Sequence, residues 1–280
     1  MKIGVVGAGA MGGGIAQIFA QKEGYEVILC SSNPESAERG KNKIKKRLMS
    51  RVEKGKMTEE TALTVLSKIN TGSLDECRDC DVVIESIPED MVKKQELMKK
   101  LDIICKKECI LASNTSSLSI TEIAAGITHP VVGMHFFNPA PVMKLVEIAA
   151  GLNTPEETVE VVVGIAKNLG KVPVEVKDNA GFVVNRILIP MINEAIGLYA
   201  EGVASAEGID AAMKLGANHP MGPLALGDFI GLDICLAIME ALYNETGDTK
   251  YRPHPLLRKM VRGGWLGVKS GRGFYQYGAE

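Results

Sequence analysis

Residues 3–14 read Ile-Gly-Val-Val-Gly-Ala-Gly-Ala-Met-Gly-Gly-Gly, and they are the strongest indication of the fold in this sequence. An apolar run leads into the pattern G-x-G-x-x-G, formed by Gly7, Gly9 and Gly12, and a helical segment follows. In this context the first glycine permits a tight turn, the second lets the backbone approach a pyrophosphate, and the third allows close helix packing. The start of the helix adds unpaired N–H groups and a positive dipole. The stretch therefore predicts a dinucleotide-binding loop.

Short apolar runs and helical stretches alternate over residues 1–181. The apolar runs are Ile3–Val6, Val27–Leu29, Val82–Ile84, Ile110–Ala112, Val131–Met134, Leu145–Ile148 and Val172–Val176. Such runs separated by helices predict an α/β domain, Rossmann-like, with a doubly wound and mostly parallel sheet. Residues 34–68 are highly charged, which predicts two helices with a break near Gly55.

The pattern becomes helical after residue 181. Helical spacing covers 183–200, 206–215 and 232–243, with breaks at Gly202, Pro220, Gly222 and Pro223. Only Gly-Phe-Tyr-Gln-Tyr at 273–277 could form a strand. We therefore predict a dinucleotide-binding domain over 1–181 and an all-helical domain over 182–280.

Composition excludes several classes of protein. The chain has 280 residues, of which 46% are hydrophobic and 24% charged, and its net charge of −2 indicates no nucleic-acid or membrane partner. Met1-Lys2 leads directly into a strand, so we expect no signal peptide and a cytoplasmic location. The six cysteines are scattered, and the CxxC at 77–80 has no second copy. Ordinary reduced thiols and no metal site are expected.

The end of the second predicted strand leaves the choice of cofactor open. An acid about 20 residues past the glycines usually binds the ribose 2′-hydroxyl of NAD, but Ser31 stands here. Ser31, Ser32 and Asn33 could hydrogen-bond either ribose form, while the basic residues Arg39 and Lys41 come later. Both NAD(H) and NADP(H) remain possible cofactors.

Residues 131–149 predict a hairpin that pairs a histidine with a glutamate. If the chain reverses about Pro141, His135 and Glu147 lie opposite each other with Cβ atoms about 5 Å apart. The glutamate could then bind one imidazole nitrogen, leaving the other to take a proton from a substrate hydroxyl. A pair that only stabilises the hairpin is the alternative.

A hydroxyl-rich segment, Ser113-Asn-Thr-Ser116-Ser, follows a predicted buried strand and precedes a helix. It should therefore lie at the C-terminal edge of the sheet, where open α/β folds bind ligands. The alternative is that the hydroxyl groups here only form the turn and cap the following helix, for which Ser117 and Ser119 would be sufficient.

With these residues in view, the chain resembles the 3-hydroxyacyl-CoA dehydrogenase family, and specifically its short bacterial 3-hydroxybutyryl-CoA members, over nearly its whole length. The resemblance rests on GAGAMGGG at 7–14, DVVIESIPED at 81–90, SNTSSLSI at 113–120, GMHFFNPAPVMKLVEI at 133–148, DNAGFVVNRIL at 178–188, AMKLGANHPMGPLALGDFIGLD at 212–233 and KSGRGFYQY at 269–277.

The resemblance implies interconversion of (S)-3-hydroxybutyryl-CoA and acetoacetyl-CoA by hydride transfer. His135 would be the acid/base oriented by Glu147, with Ser116 and Asn185 binding substrate oxygens near C3. Cofactor contacts would come from Gly7, Gly9, Ala10, Met11, Gly12, Ser31, Glu89, Lys94, Ser116, Asn138 and Lys269. Lys56 would lie near the coenzyme A moiety of the substrate, although Met49 replaces the serine usual seven residues before it, and Ser31 replaces the usual aspartate. The helical half would close over the acyl-CoA substrate and form a homodimer.

Other functions fit the sequence less well. Hydroxy-acid dehydrogenases with a similar domain plan use a catalytic lysine, which the predicted His–Glu hairpin disfavours. Short-chain dehydrogenases require Tyr-x-x-x-Lys, which this sequence lacks. A nucleotide-sensing protein on the same scaffold would not need the complete set of His135, Glu147, Ser116 and Asn185.

Overall fold

The computed structural model describes residues 1–278 and divides the chain into two compact units, Met1–Asp178 and Asn179–Glu280. From the sequence, the domain boundary was predicted after residue 181. The last two residues of the predicted helical domain, Ala279 and Glu280, lie outside the described residues. Each unit has a hydrophobic core of its own.

An eight-stranded sheet forms the centre of the first unit. Its strands are β1 (Lys2–Val6), β2 (Glu26–Cys30), β3 (Ile69–Gly72), β4 (Val82–Glu85), β5 (Ile110–Ser113), β6 (Val131–Phe136), β7 (Leu145–Ala150) and β8 (Val172–Lys177). They lie in the order β3-β2-β1-β4-β5-β6-β7-β8. Neighbouring strands are parallel except β6 and β7, which are antiparallel. The predicted fold is confirmed, and all seven predicted strands are present.

The helices of the first unit pack apolar side chains against the sheet. They are α1 (Ala10–Ala20), α2 (Pro34–Glu53), α3 (Glu59–Ser67), α4 (Met91–Ile104), α5 (Ile120–Ile123) and α6 (Glu156–Asn168), with a 3-10 helix at Leu74–Asp79. The helix pair predicted between 34 and 68 is confirmed, and Gly55 (φ +65°) lies in the break. In α2 the residues Ile44 and Leu48 are fully buried one turn apart, as expected for a helix with one apolar face.

The edge strand β3 is absent from the prediction. Its sequence, Ile69-Asn-Thr-Gly72, has one apolar residue, and only Ile69 is buried. An edge strand needs fewer apolar side chains than a central one, so the usual sequence pattern of a strand is missing. The strand is held by parallel pairing with β2, where Val27 is opposite Ile69.

The second unit is helical, as predicted. Its helices are α7 (Val184–Ala200), α8 (Ala206–Gly216), α9 (Pro223–Ile230), α10 (Leu232–Thr246) and α11 (Pro255–Arg262), with 3-10 helices at Thr249–Tyr251 and Val268–Ser270. The short helices α9 and α11 were not predicted. Pro223 and Pro255 are their first residues, a position where proline starts a helix instead of breaking one.

The strand considered at 273–277 does not form. The backbone N–H groups of Phe274 and Tyr275 donate to the carboxylate of Asp228, both at 3.0 Å. A buried side chain from α9 thus takes the donors that a partner strand would need, and only isolated bridges such as Arg272 to Gln276 remain.

All six cysteines are free and buried. Within residues 1–278, no group of three or more histidine, cysteine, aspartate or glutamate side chains is arranged to hold a metal ion. None of the helices described over the same residues has both the length and the apolar character needed to cross a membrane.

Candidate active site

The topology of the sheet brings the predicted site segments to one edge. The glycine loop follows β1, Ser31 follows β2, Glu89 follows β4 and Ser116 follows β5. These four strands are mutually parallel, so their C-terminal ends lie at the same edge. The strand order also reverses between β1 and β4, which is where open α/β sheets form a ligand crevice.

The glycine loop is folded too tightly to admit side chains at two of its glycines. Gly7 has φ +112°, and a Cβ there would lie 2.4 Å from the carbonyl oxygen of Ser86, just after β4. A Cβ on Gly12 would lie 1.8 Å from the carbonyl oxygen of Gly7. Both distances are shorter than any real Cβ contact, so only glycine fits at either position.

Gly9 behaves in the opposite way. A Cβ there would meet no protein atom within 4 Å, and Gly9 caps α1 without offering a side chain to the first N–H groups of the helix. The first turn of α1 contains no acidic residue that would repel an anion. The loop therefore fits the pyrophosphate of a dinucleotide, which backbone N–H groups at a helix start bind well.

The predicted pairing of histidine and glutamate is confirmed. His135 in β6 is directly opposite Glu147 in β7, and Nδ1 of the histidine lies 2.8 Å from Oε2 of the glutamate. Both side chains are buried. Because β6 runs parallel to β5 and antiparallel to β7, His135 near the end of β6 and Glu147 near the start of β7 lie at the edge that carries the glycine loop.

Neighbouring residues hold this hairpin in place. The backbone N–H of Phe136 donates to Oδ1 of Asn114 at 2.8 Å, which joins the start of the hydroxyl-rich loop to β6. The Lys171 ammonium donates to the carbonyl oxygens of Ala140 and Met143, at 2.6 and 2.7 Å, inside the hairpin turn. Asn138, a predicted cofactor contact, is exposed in that turn.

Glu89 organises the hydroxyl-rich loop after β5. Its Oε1 accepts hydrogen bonds from the Thr115 hydroxyl (2.6 Å), from the Ser116 N–H and hydroxyl (2.8 and 3.2 Å), and from the Ser117 N–H and hydroxyl (both 3.1 Å). Burial alone would raise the pKa of Glu89, but the Lys94 ammonium and these hydrogen bonds lower it below the ordinary value. Glu89 is thus an anion that positions Ser116.

Lys94 is almost completely buried beside two carboxylates. Its Nζ lies 2.8 and 2.9 Å from the two oxygens of Glu85 and 3.4 Å from Oε2 of Glu89. Glu85 ends β4, is fully buried and also accepts a hydrogen bond from the Ser113 hydroxyl. The family resemblance predicted Lys94 and Glu89 as cofactor contacts but did not predict a role for Glu85. The signal for Glu85 was its position, since it is an acidic residue directly after the apolar run Val-Val-Ile.

Asp178 is a second residue that the sequence did not single out. Its carboxylate accepts hydrogen bonds from the N–H groups of Ile120 and Thr121, at 2.8 and 2.7 Å, and from the Ser119 hydroxyl at 2.8 Å. Ser119 also caps α5, as its sequence position suggested. Asp178 therefore fixes the far end of the loop that contains Ser116.

The remaining predicted site residues belong to other segments of the chain, each described within its own unit. Lys56 is exposed in the turn between α2 and α3, and Met49 packs against the hydrophobic core of the first unit. In the second unit, Asn185 lies in the first turn of α7. Lys269 forms an ion pair with Asp233, in which the ammonium lies 2.6 Å from Oδ2.

A Rossmann unit with a tight glycine loop, a paired histidine and glutamate at its ligand edge, and a separate helical unit together define a nicotinamide-dependent dehydrogenase. The chain belongs to the 3-hydroxyacyl-CoA dehydrogenase family. The family's NAD binding domain matches residues 2–179, and its C-terminal domain matches residues 181–277.

Relatives are similar over their full length. The chain is 54% identical to the 3-hydroxybutyryl-CoA dehydrogenase of Clostridioides difficile, covering 99% of each chain. It is 48% identical to the enzyme of the same name from Bradyrhizobium diazoefficiens, covering 99% of this chain and 95% of that one. The crystal structure of (S)-3-hydroxybutyryl-CoA dehydrogenase from Ralstonia eutropha is similar with a TM-score of 0.94 and 47% identity, covering 99% of each chain.

Proposed function

We propose that the chain interconverts (S)-3-hydroxybutyryl-CoA and acetoacetyl-CoA with a nicotinamide cofactor. The observation that carries this proposal is the buried contact between His135 and Glu147 at the sheet edge that also bears the glycine loop. Full-length similarity to enzymes of this name supports the choice of substrate.

In this proposal His135 moves the proton. Glu147 holds Nδ1, so that Nε2 is the nitrogen that exchanges a proton with the substrate, and the carboxylate stabilises the imidazolium that forms. In oxidation, His135 takes the proton of the C3 hydroxyl through Nε2, and in reduction it returns that proton to the C3 oxygen. The cofactor supplies the acceptor or donor of hydride at C3.

Ser116 and Asn185 would hydrogen-bond the substrate oxygen at C3. Oriented donors stabilise negative charge on an oxygen as it develops, and they do so best when they are held in place before the reaction. Glu89 and the two neighbouring hydroxyl residues give the Ser116 loop this rigidity. Lys94 would contribute to cofactor binding through Glu89, since its ammonium is already engaged within the chain.

The other proposed contacts follow the family assignment. The glycine loop with Ala10 and Met11, together with Ser31, Asn138 and Lys269, would bind the cofactor. Lys56, an exposed cation, would lie near the coenzyme A moiety. A homodimer formed through the helical unit is also part of the proposal and follows from the family assignment alone. A cytoplasmic location is part of the proposal, since the cysteines are free thiols.

The test compares a thioester with the matching free acid. Initial rates of acetoacetyl-CoA reduction and of acetoacetate reduction are measured with NADH and with NADPH. We expect turnover of the thioester and little or none of the free acid. Turnover of acetoacetate without turnover of acetoacetyl-CoA would overturn the proposed substrate.

A further inference from the structure

We infer that a cluster of two carboxylates and one ammonium, formed by Glu85, Lys94 and Glu89, favours binding of the oxidised, cationic form of the nicotinamide cofactor. Glu85, which has no part in the proposed chemistry, gives this cluster its net negative charge. The inference rests on the proposed function and extends it to the oxidation state that the site prefers.

The cluster carries one negative charge in excess. The Lys94 ammonium lies 2.8 and 2.9 Å from the two oxygens of Glu85 and 3.4 Å from Oε2 of Glu89, so one cation is shared by two carboxylates. Glu85 also accepts hydrogen bonds from the Ile87 N–H, at 3.1 Å, and from the Ser113 hydroxyl. These donors stabilise the charged form of a carboxyl group that lies inside the protein.

Water and salt screen little of this charge. The side chains of Lys94 and Glu85 are 1% and 0% exposed, and charges in the protein interior act more strongly at a distance than charges on the surface. The charged residues nearest in the sequence are Asp90 and Lys93. They form an exposed ion pair with each other at 3.3 Å, so they do not offset the excess charge of the cluster.

The cluster lies beside the glycine loop, on the other side of the point where the strand order reverses. Glu85 is the last residue of β4, which pairs with β1. A Cβ on Gly12 would lie 3.5 Å from the Cβ of Ser86, so the residue after Glu85 is in contact with the loop. In Rossmann folds the two halves of a dinucleotide lie on the two sides of this point, and the half beyond the pyrophosphate carries the nicotinamide.

The loop that would bind the reacting oxygen is attached to the same cluster. Oε1 of Glu89 accepts hydrogen bonds from the Thr115 hydroxyl at 2.6 Å and from the Ser116 N–H at 2.8 Å. In the proposed function Ser116 binds the oxygen on C3, and C3 exchanges hydride with the nicotinamide ring. The ring and Glu89 are therefore neighbours. An excess negative charge at this place attracts the cationic ring of NAD⁺ and has little effect on the neutral ring of NADH.

Equilibrium binding of the two oxidation states tests this inference. NAD⁺ and NADH are titrated into the full-length protein by calorimetry, and the ratio of the NAD⁺ Kd to the NADH Kd is compared among variants. In Glu85→Gln the cluster becomes neutral, and this ratio should rise by about tenfold. Ser113→Ala is the matched control, because it removes a hydrogen bond to Glu85 but no charge. It should leave the ratio within about threefold of the natural value.

The double variant Glu85→Gln with Lys94→Met separates the effect of charge from damage to the fold. Glu89 alone then supplies a single negative charge, as the natural cluster does, so the ratio should return to within about threefold of the natural value. If Glu85→Gln does not fold, Glu89→Gln takes its place. It also makes the cluster neutral, and the Glu89 side chain is 34% exposed, so its replacement disturbs the interior less. The ratio should again rise by at least about tenfold.

Two results would overturn the inference while the proposed function stands. One is an unchanged ratio in the folded neutral variant, and the other is a ratio that stays raised in the double variant. If the natural chain bound neither NAD⁺ nor NADH, the proposed function itself would fail.

Discussion

His135 and Glu147 occupy directly opposite positions of the antiparallel β6–β7 pair, and their side chains meet at 2.8 Å between Nδ1 and Oε2. The backbone ladder of two buried strands sets the separation of these residues, so their orientation does not depend on a mobile loop. A glutamate held in this way can fix the tautomer of the imidazole and stabilise its charged form.

The first prediction concerns Glu147→Gln. Glutamine keeps the size of the buried side chain but cannot stabilise an imidazolium in the same way. We expect kcat for acetoacetyl-CoA reduction to fall by about 10² to 10⁴, as for loss of the orienting carboxylate in other histidine systems. The Kd for NADH should stay within about threefold of the natural value. A kcat within threefold of natural would show that the carboxylate only stabilises the hairpin.

The second prediction contrasts two glycines of one loop. Gly9→Ala should fold normally, because the added methyl meets no protein atom, but it should weaken NADH binding by at least about tenfold because the methyl enters the pyrophosphate space. Gly12→Ala should disturb the protein itself, because its methyl would lie 1.8 Å from the Gly7 carbonyl oxygen. Thermal unfolding and NADH titration are measured for both variants.

Either of two results would contradict this contrast between Gly9 and Gly12. If Gly9→Ala lost thermal stability as Gly12→Ala did, the space at Gly9 would not be open. If Gly9→Ala bound NADH with natural affinity, the pyrophosphate would lie elsewhere.

The third prediction concerns the buried ion pair of Glu85 and Lys94. Glu85→Gln removes one charge and leaves a buried ammonium with fewer partners, which should lower the free energy of unfolding by about 3 kcal/mol. The double variant Glu85→Gln with Lys94→Met removes both charges and should recover part of this loss. Urea unfolding of Glu85→Gln, of Lys94→Met and of the double variant measures the coupling energy between the two side chains. Strictly additive effects would mean that the pair is not coupled.

The fourth prediction concerns His129, which lies before β6 and outside the proposed site. Its Nδ1 is 2.6 Å from Oδ1 of Asp102, and its Nε2 is 3.0 Å from the carbonyl oxygen of Lys106. Burial alone would lower the pKa of His129, but the Asp102 carboxylate and the Lys106 carbonyl favour the charged ring and raise the pKa above its usual value.

Because the folded protein holds this proton more tightly than the unfolded chain, the contact stabilises the fold fully below the unfolded pKa of about 6.5. The stabilisation is lost as the pH rises through the raised, folded pKa. His129→Gln should therefore lower Tm more at pH 6 than at pH 9, and thermal unfolding at the two pH values measures this. An equal loss at both would mean that His129 does not titrate with folding.

The sequence was most informative where local patterns determine structure. The glycine motif identified the first βαβ unit, and the turn about Pro141 predicted the register that places His135 opposite Glu147. Contacts between segments that are separated in the sequence could not be predicted from it. Asp228 binds the N–H groups of Phe274 and Tyr275, 46 and 47 residues further along the chain, and so prevents a strand. The contact between Glu85 of β4 and Lys94 of α4 depends on the path of the segment that joins the two elements, which no local pattern predicts.

The proposed role of His135 is tested by measuring the turnover of His135→Gln together with its affinity for NADH. Since His135 is proposed to carry the proton while the cofactor binds to other residues, kcat for acetoacetyl-CoA reduction should fall by about 10³, within the range expected for loss of a general acid. The Kd for NADH should stay within about threefold of the natural value. A variant that binds NADH normally and still turns over acetoacetyl-CoA within about tenfold of the natural rate would show that His135 is not the proton donor.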